Sequence, residues 1–322
     1  MVNVVKSLLR KIINPSRRLV GIDWGKEKIK VAVISWNGKL SVQGLYSIDL
    51  PAEVLNKADN QELNSDLVAS LGQMADDAGI NEDKIVLGLE GTQVSLRHIK
   101  IPVMPERELV KAIKWEVEKY YPGLAEKITY RYLILGDIVE KKNKFYSVLL
   151  ITVNNDTVEK YCAIFQAAGL NLATLDITSM ALWNLYKKDN GENSALVYLS
   201  PAMLHIVIMQ YNQIYFTRSI SVYDLNNIIE QLEITLQYLK HTFPVPPVQS
   251  ILLSGETENY PDLLYLLEER INIAVKPAVP VLLDDVLVDP GFEIALGLAL
   301  RGIPKKPAIK RLFSFLSNGF TK

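Results

Sequence analysis

The sequence has few of the residues that mark disulfide-stabilised, zinc-binding or membrane-spanning proteins. Its single cysteine, Cys162, cannot form an intrachain disulfide, so a reducing compartment is predicted. The three histidines, His98, His205 and His241, do not have the spacing of metal ligands. The longest apolar-rich run, residues 195–209, is interrupted by polar residues and is shorter than the roughly 18 residues of a transmembrane helix. No secretory signal is recognised. These absences predict a cytoplasmic protein without a metal site.

Two common catalytic motifs are also missing. The G-x-x-x-x-G-K-[ST] loop of P-loop nucleotidases does not occur, nor does the G-x-S-x-G turn that presents the serine of an α/β-hydrolase. Both motifs supply the geometry on which their chemistry depends. The sequence therefore excludes these two enzyme classes, and we assign no catalytic residue.

The net charge of −1 hides an uneven distribution. Residues 1–18 carry five basic and no acidic residues, and residues 301–322 carry six and none. When these eleven are subtracted from the 35 basic residues, 24 remain in residues 19–300. The same residues contain all 36 acidic residues, so their net charge is −12. Such a body lacks the basic surface of a nucleic-acid-binding protein, so no nucleic-acid partner is expected.

Both basic ends have apolar residues at helical spacing. In the C-terminal segment, Ile309, Leu312, Phe313 and Leu316 share one predicted helix face. A basic amphipathic end is typical of a segment that lies on an anionic membrane surface. It is equally compatible with a helix that packs on its own domain, and both alternatives stand for each end.

A pattern of three short strands and two turns occurs twice. It is predicted first at residues 20–23, 29–35 and 40–45, and it returns within residues 196–219 at a constant offset of 175. Helical patterns and further short strands follow each copy. The repeat predicts two similar α/β lobes with a cleft between them. At the first turn, Gly25 would let backbone N–H groups approach a phosphate, and Asp23 would hold a metal-bound water.

Three motifs resemble the actin-like ATPase superfamily. They are Val-Gly-Ile-Asp-Trp-Gly at 20–25, Leu-Leu-Ser-Gly at 252–255 and Ala-Leu-Gly-Leu-Ala-Leu-Arg-Gly at 295–302. Within it, Ile-Pro-Val-Met-Pro-Glu-Arg-Glu-Leu at 101–109 and Ala-Ile-Lys-Trp-Glu at 112–116 resemble the PilM family of type IV pilus assembly proteins. The resemblance implies an α/β, actin-like (ribonuclease-H-like) two-lobe fold, related to FtsA, with a subdomain inserted in the first lobe.

The resemblance also implies domain boundaries. We predict a basic N-terminal segment (1–18), a first lobe (19–81 and 154–193), an inserted partner-binding subdomain (82–153), a shortened second lobe (194–302) and a basic C-terminal tail (303–322). The insert is predicted to begin with strands at 84–89 and 94–99, followed by a helix at 106–120 and two more strands.

Members of the family bind the short cytoplasmic N-terminus of PilN, a membrane protein, in a groove beside the insert. The partner-binding candidates here are Arg97, His98, Lys100, Met104 and Trp115. Trp115 is predicted on the charged face of the insert's helix, where it would anchor a partner or pack on the neighbouring subdomain. Arg97, His98 and Lys100 would pair with a peptide edge or lie on a solvated strand face.

The nucleotide motifs depart from the family pattern. Lys26 and Glu27 replace small hydroxyl residues in the first turn, and Tyr198 replaces the aspartate of the second. Glu256 stands where the resemblance predicts a second glycine on the adenosine side. We therefore predict a degenerate site with no cofactor. The alternative is ATP or ADP with Mg²⁺, held by Asp23, Gly25, Lys26 and Gly255.

The resemblance predicts a scaffold on the cytoplasmic side of a bacterial inner membrane. It would couple a PilN-like protein to the pilus motor components and would not hydrolyse ATP. Two alternatives remain from the sequence, a nucleotide-binding PilM-type ATPase and an FtsA-like filament protein tethered to the membrane.

Overall fold

The computed structural model describes residues 17–25, 27–37, 39–50, 65–90, 93–186, 192–201, 203–210, 213–242, 247–280 and 291–303. The terminal segments 1–16 and 304–322, on which the two membrane alternatives rest, lie outside these residues, as does Lys26. No helix within the described ranges is long and apolar enough to cross a membrane.

The first lobe is built on a five-stranded sheet with the order β3-β2-β1-β4-β8. Its strands are β1 (Arg17–Trp24), β2 (Lys28–Trp36), β3 (Leu40–Asp49), β4 (Lys84–Leu89) and β8 (Asn171–Ile177). The strands β1, β2 and β3 form an antiparallel meander, whereas β4 runs parallel to both β1 and β8. Consecutive residues in the centre of β1 and β2 are buried, so both faces of these strands are covered.

The second lobe repeats this topology. Its sheet has the order β11-β10-β9-β12-β13, formed by β9 (Ser194–Ser200), β10 (Met203–Gln210), β11 (Gln213–Ser221), β12 (Ser250–Gly255) and β13 (Ala274–Pro277). Again a meander of three strands is followed by parallel strands. The repeat predicted from the sequence is therefore confirmed for the residues that the structure describes.

The described helices are α1 (Ser65–Ala78), α2 (Glu106–Tyr120), α3 (Asn155–Ala167), α4 (Thr178–Tyr186), α5 (Leu225–Thr242), α6 (Leu263–Ile271) and α7 (Glu293–Ala299). Every residue of α4 and α7 is buried. Helix α7 packs on β1, β2, β4 and α4, which all belong to the first lobe. The prediction that residues up to 302 belong to the second lobe is therefore wrong for this helix.

A third sheet with the order β5-β7-β6 forms the insert. Its strands are β5 (Val94–Pro102), β6 (Ile128–Glu140) and β7 (Asn143–Asn154), and α2 covers one face through Leu109, Ile113 and Val117. The prediction that the insert begins with residues 84–89 is wrong, because β4 lies in the first sheet. Five consecutive buried residues in β4 suit a parallel strand covered on both faces.

Three of the basic residues assigned to the charged ends belong to the folded body. Arg17 and Arg18 begin β1, and the Arg18 guanidinium donates to the carbonyls of Ala78 and Gly79 at 2.9 Å. The Arg301 guanidinium lies 2.8 Å from the Asp176 carboxylate, and both side chains are buried. Burying Asp176 is tolerated because this cation compensates its charge.

Candidate functional site

The cleft between the lobes collects carboxylates at the ends of several strands. Asp23, near the end of β1, is partly buried, and loss of hydration raises its pKa to about 7. The negative charges of Glu90, Glu293 and Glu256 raise it further, whereas Lys30 acts in the opposite direction. Asp23 therefore lies in a region where another anion is unfavourable.

An ion pair joins the two lobes across this cleft. Lys30, on β2, places its ammonium 2.9 Å from a carboxylate oxygen of Glu256, which follows β12. The two side chains are only 16% and 21% exposed, so water screens their attraction less than it would on the surface. Glu256 therefore pairs with Lys30 at the position where the resemblance predicts a glycine that contacts the nucleotide.

Glu293, at the start of α7, makes further contacts in the cleft. It accepts hydrogen bonds from the Gly291 N–H at 2.6 Å, the Tyr198 hydroxyl at 3.3 Å and the Ser254 hydroxyl at 3.4 Å. Its pKa is raised because it is buried. Tyr198 and Ser254 belong to the second lobe, so this carboxylate also connects the lobes.

Gly25 and Gly255, the two glycines predicted as nucleotide contacts, have structural roles. The Gly25 N–H donates to the Lys28 carbonyl at 3.1 Å, so it closes the β1–β2 turn. Gly255 has φ +87°, and a Cβ there would lie 2.0 Å from the Leu199 carbonyl oxygen. The close approach of β9 and β12 therefore requires glycine at 255 whether or not a nucleotide binds.

Several described side chains near the predicted Mg²⁺–nucleotide site bond to other protein groups. No group of three or more His, Cys, Asp or Glu among them is arranged to hold a metal ion. The buried tyrosine at 198 donates to Glu293, at the position where the family pattern predicts a carboxylate. Tyr198 and Glu256, at two of the positions that depart from the family pattern, therefore bond to Glu293 and Lys30.

A separate groove lies between the insert and the second lobe. Its volume is about 560 Å³, within the usual range of ligand sites. The lining residues are Val94, Leu96, Arg97, His98, Tyr120, Phe216, Thr217, Arg218, Ser219, Ile234 and Tyr238. Apolar and aromatic side chains dominate this lining, and its described residues include two arginines and no carboxylate. We call this site the insert groove.

His98 and Phe216 connect the two walls of the insert groove. Their rings stack with centroids 4.5 Å apart, and the Thr217 N–H donates to His98 Nε2 at 3.5 Å. Burial lowers the pKa of His98 to about 4, so the ring is neutral at physiological pH and can accept this hydrogen bond.

Both arginines of the insert groove are oriented by neighbouring side chains. The Arg97 guanidinium lies 4.4 Å from the centroid of the Tyr120 ring. Arg218 donates to the Thr235 hydroxyl at 3.0 Å and to Gln231 at 3.3 Å. The buried Thr217 hydroxyl has no hydrogen-bond partner within the described part of the chain.

The structure brings together only two of the five partner-binding candidates. Arg97 and His98 line the insert groove, but Lys100, Met104 and Trp115 do not. Lys100 forms an ion pair with Glu140, and Met104 packs against the core of the insert. The Trp115 side chain is 64% exposed. The alternative that Trp115 packs on the neighbouring subdomain is therefore wrong.

Sequence reasoning missed the second wall of the insert groove. Phe216, Arg218 and Tyr238 come from β11 and α5, more than a hundred residues after β5. Their residue types are ordinary for a strand and a helix. No local signal distinguishes them, because only the packing of the insert against the second lobe gives them a common site.

Two sheets of the same topology, with buried helices between them and an inserted sheet, define an actin-like fold. The solved "PilM-PilN type IV pilus biogenesis complex" is similar with a TM-score of 0.75 at 18% identity, over 89% of this chain and 99% of that chain. A Bacteroides thetaiotaomicron protein with an actin-like ATPase fold and unknown function gives 0.51 at 11% identity, over 80% and 90%. The cytoplasmic domain of EpsL, an inner membrane component of the Vibrio cholerae type II secretion system, gives 0.53 at 9% identity, over 94% and 100%.

A family model supplies the narrower assignment. The model described as type IV pilus assembly protein PilM matches residues 21–222. The chain therefore belongs to the PilM family of type IV pilus assembly proteins, as the motifs predicted. No curated protein sequence matches it.

Proposed function

We propose that this protein is a scaffold of the type IV pilus, or of a related assembly machinery, at the cytoplasmic face of the inner membrane. It binds the N-terminal peptide of a PilN-like membrane protein in the insert groove, contacts pilus motor components and does not hydrolyse ATP. The observation that supports the proposal is the insert groove itself, whose lining includes Arg97 and His98 of the inserted sheet.

The chemistry of the insert groove suits an extended peptide. Its apolar and aromatic walls would bury apolar side chains, while Arg97 and Arg218 would donate to main-chain carbonyls. Among the described strands, β5 pairs only with β7 and β11 pairs only with β10, so each is an edge strand. An extended peptide binds edge strands through main-chain hydrogen bonds.

The proposal predicts that Phe216→Ala weakens peptide binding at least about tenfold. Removing this ring takes away one aromatic wall and the stacking partner of His98, and buried aromatic anchors contribute about 2 kcal/mol or more to such interfaces. Fluorescence anisotropy of a labelled N-terminal peptide from a PilN-like protein measures the Kd. Arg97→Ala is expected to weaken binding as well.

Trp115→Ala is the matched control, because Trp115 is a large exposed aromatic residue of the same insert outside the insert groove. Its Kd is expected to equal that of the wild type. A loss of affinity in Trp115→Ala, with no change in Phe216→Ala, would move the binding site to the outer face of α2 and overturn the proposed location.

The ATPase alternative is favoured by the actin-like fold and by the retention of Asp23 and Gly25. We expect millimolar MgATP or MgADP to leave the midpoint of thermal unfolding within about 1 °C. A ligand at 100 times its Kd stabilises by about 2.7 kcal/mol, which would shift the midpoint by about 5 °C or more. Differential scanning fluorimetry makes the comparison, and a shift of that size would favour the ATPase.

A further inference from the structure

One wall of the insert groove belongs to the insert and the other belongs to the second lobe. One wall is β5 with Tyr120 of the insert, and the other is β11 with Ile234 and Tyr238 of the second lobe. The insert is held to α3 of the first lobe, since the Thr129 hydroxyl donates to Asn155 Oδ1 at 2.7 Å and the Asn155 amide donates to the Glu126 carbonyl at 2.9 Å. The width of the groove therefore depends on how the second lobe sits against the first.

The Lys30–Glu256 ion pair connects the first lobe, which carries the insert, to the second lobe on the cleft side. Lys30 projects from β2 of the first lobe, and Glu256 follows β12 of the second, 226 residues later in the chain. The carboxylates of Glu90 and Glu293 also lie close enough to act on the Asp23 carboxyl, and Lys30 is the cation that opposes them there. Removing it leaves these carboxylates to repel one another across the lobe boundary.

A second polar contact runs from the cleft to the groove. His205, on β10, is fully buried, and its Nε2 lies 3.5 Å from a carboxylate oxygen of Glu90 in the first lobe. On the other side of the ring, Nδ1 is hydrogen-bonded to the Ser219 hydroxyl at 2.9 Å. Ser219 lines the insert groove. His205 therefore links Glu90 of the first lobe to a residue in the groove wall.

We propose that the Lys30–Glu256 ion pair sets the width of the insert groove, so that peptide binding and closure of the two lobes are thermodynamically coupled. The inference rests on the proposed function for the identity of the peptide. A peptide that touches both walls binds the closed arrangement, and any contact that stabilises closure raises its affinity. By linkage, the bound peptide stabilises the cleft contacts by the same free energy.

The test measures peptide affinity in variants of the ion pair. Glu256→Gln keeps the side-chain shape and removes the charge, and it is expected to raise the Kd of the labelled peptide about 5- to 30-fold. Lys30→Met is expected to act in the same direction. The matched controls are Glu258→Gln, an exposed residue two positions further on, and Lys28→Met, whose lysine pairs with Asp49 inside the first lobe at 3.2 Å. Both controls are expected to bind like the wild type.

Amide hydrogen exchange separates this inference from the proposed function, because it needs no peptide. Exchange at residues 94–98 and 216–219 is expected to rise in Glu256→Gln and not in Glu258→Gln. If the wild type fails to bind the peptide while exchange changes as described, the proposed function is overturned and the coupling of cleft and groove stands. If exchange and Kd in Glu256→Gln both equal those of the wild type, the coupling is wrong.

Discussion

Asp23→Asn is expected to raise the free energy of unfolding at pH 8 by about 4 kcal/mol. The pKa of Asp23 is raised to about 7 in the folded protein, mainly by burial, from an ordinary value near 4. The folded state therefore holds the proton more tightly than the unfolded chain. The stability associated with the neutral carboxyl is fully present below about pH 4 and is lost as the pH rises to about 7. Asparagine resembles the neutral form and removes this loss.

Urea denaturation at pH 4.5 and pH 8 measures the effect. The wild type is expected to lose stability between these values relative to Asp23→Asn, whereas the two proteins should be similar at pH 4.5. Asp49→Asn is the control, because that carboxylate is 83% exposed and lies outside the cleft. If Asp23→Asn is instead less stable than the wild type at pH 8, the ionised carboxylate makes a favourable contact and its raised pKa is wrong.

Gly255→Ala is expected to destabilise the protein by about 3 kcal/mol or more. The residue has φ +87°, which disfavours any residue with a side chain, and the new Cβ would overlap the Leu199 carbonyl oxygen. Relief of this overlap requires β9 and β12 to separate at the end that carries Glu256. The substitution should therefore disturb both the second sheet and the ion pair with Lys30.

Thermal and urea unfolding without nucleotide are sufficient to measure this change. Gly136→Ala is the matched control, because a Cβ at that position in β6 meets no atom within 4 Å. Its stability is expected to stay within about 0.5 kcal/mol of the wild type. A Gly255→Ala variant as stable as the wild type would show that glycine is retained at 255 for a reason other than the approach of the strands.

Much of the fold could be predicted because its signals are local. The meander around Asp23 recurs at a constant offset in the second lobe, and alternation, turns and runs of buried residues mark the strands. The PilM-like motifs at 101–116 lie within one strand, one turn and one helix. Such patterns depend on residues near one another in the chain, so the sequence alone is enough to identify the family and two α/β lobes.

Other features depended on contacts that sequence spacing does not specify. An apolar run such as 84–89 can serve the insert or the first sheet, and only its parallel pairing with β1 decides between them. From the sequence, Arg301 is assigned to a basic tail. Its contact with the buried Asp176 shows that it belongs to the folded lobe. Trp115 has the same sequence environment whether its ring is covered or exposed.

By itself the sequence determined the family and the repeated lobes, and it predicted a degenerate nucleotide site. Only the tertiary structure decided that Lys30 neutralises Glu256 and that Phe216 faces His98 across the insert groove. The physical reason is that charge compensation and cavity walls depend on distances between side chains. Chain folding brings these groups together from more than a hundred residues apart, where no local pattern records the contact.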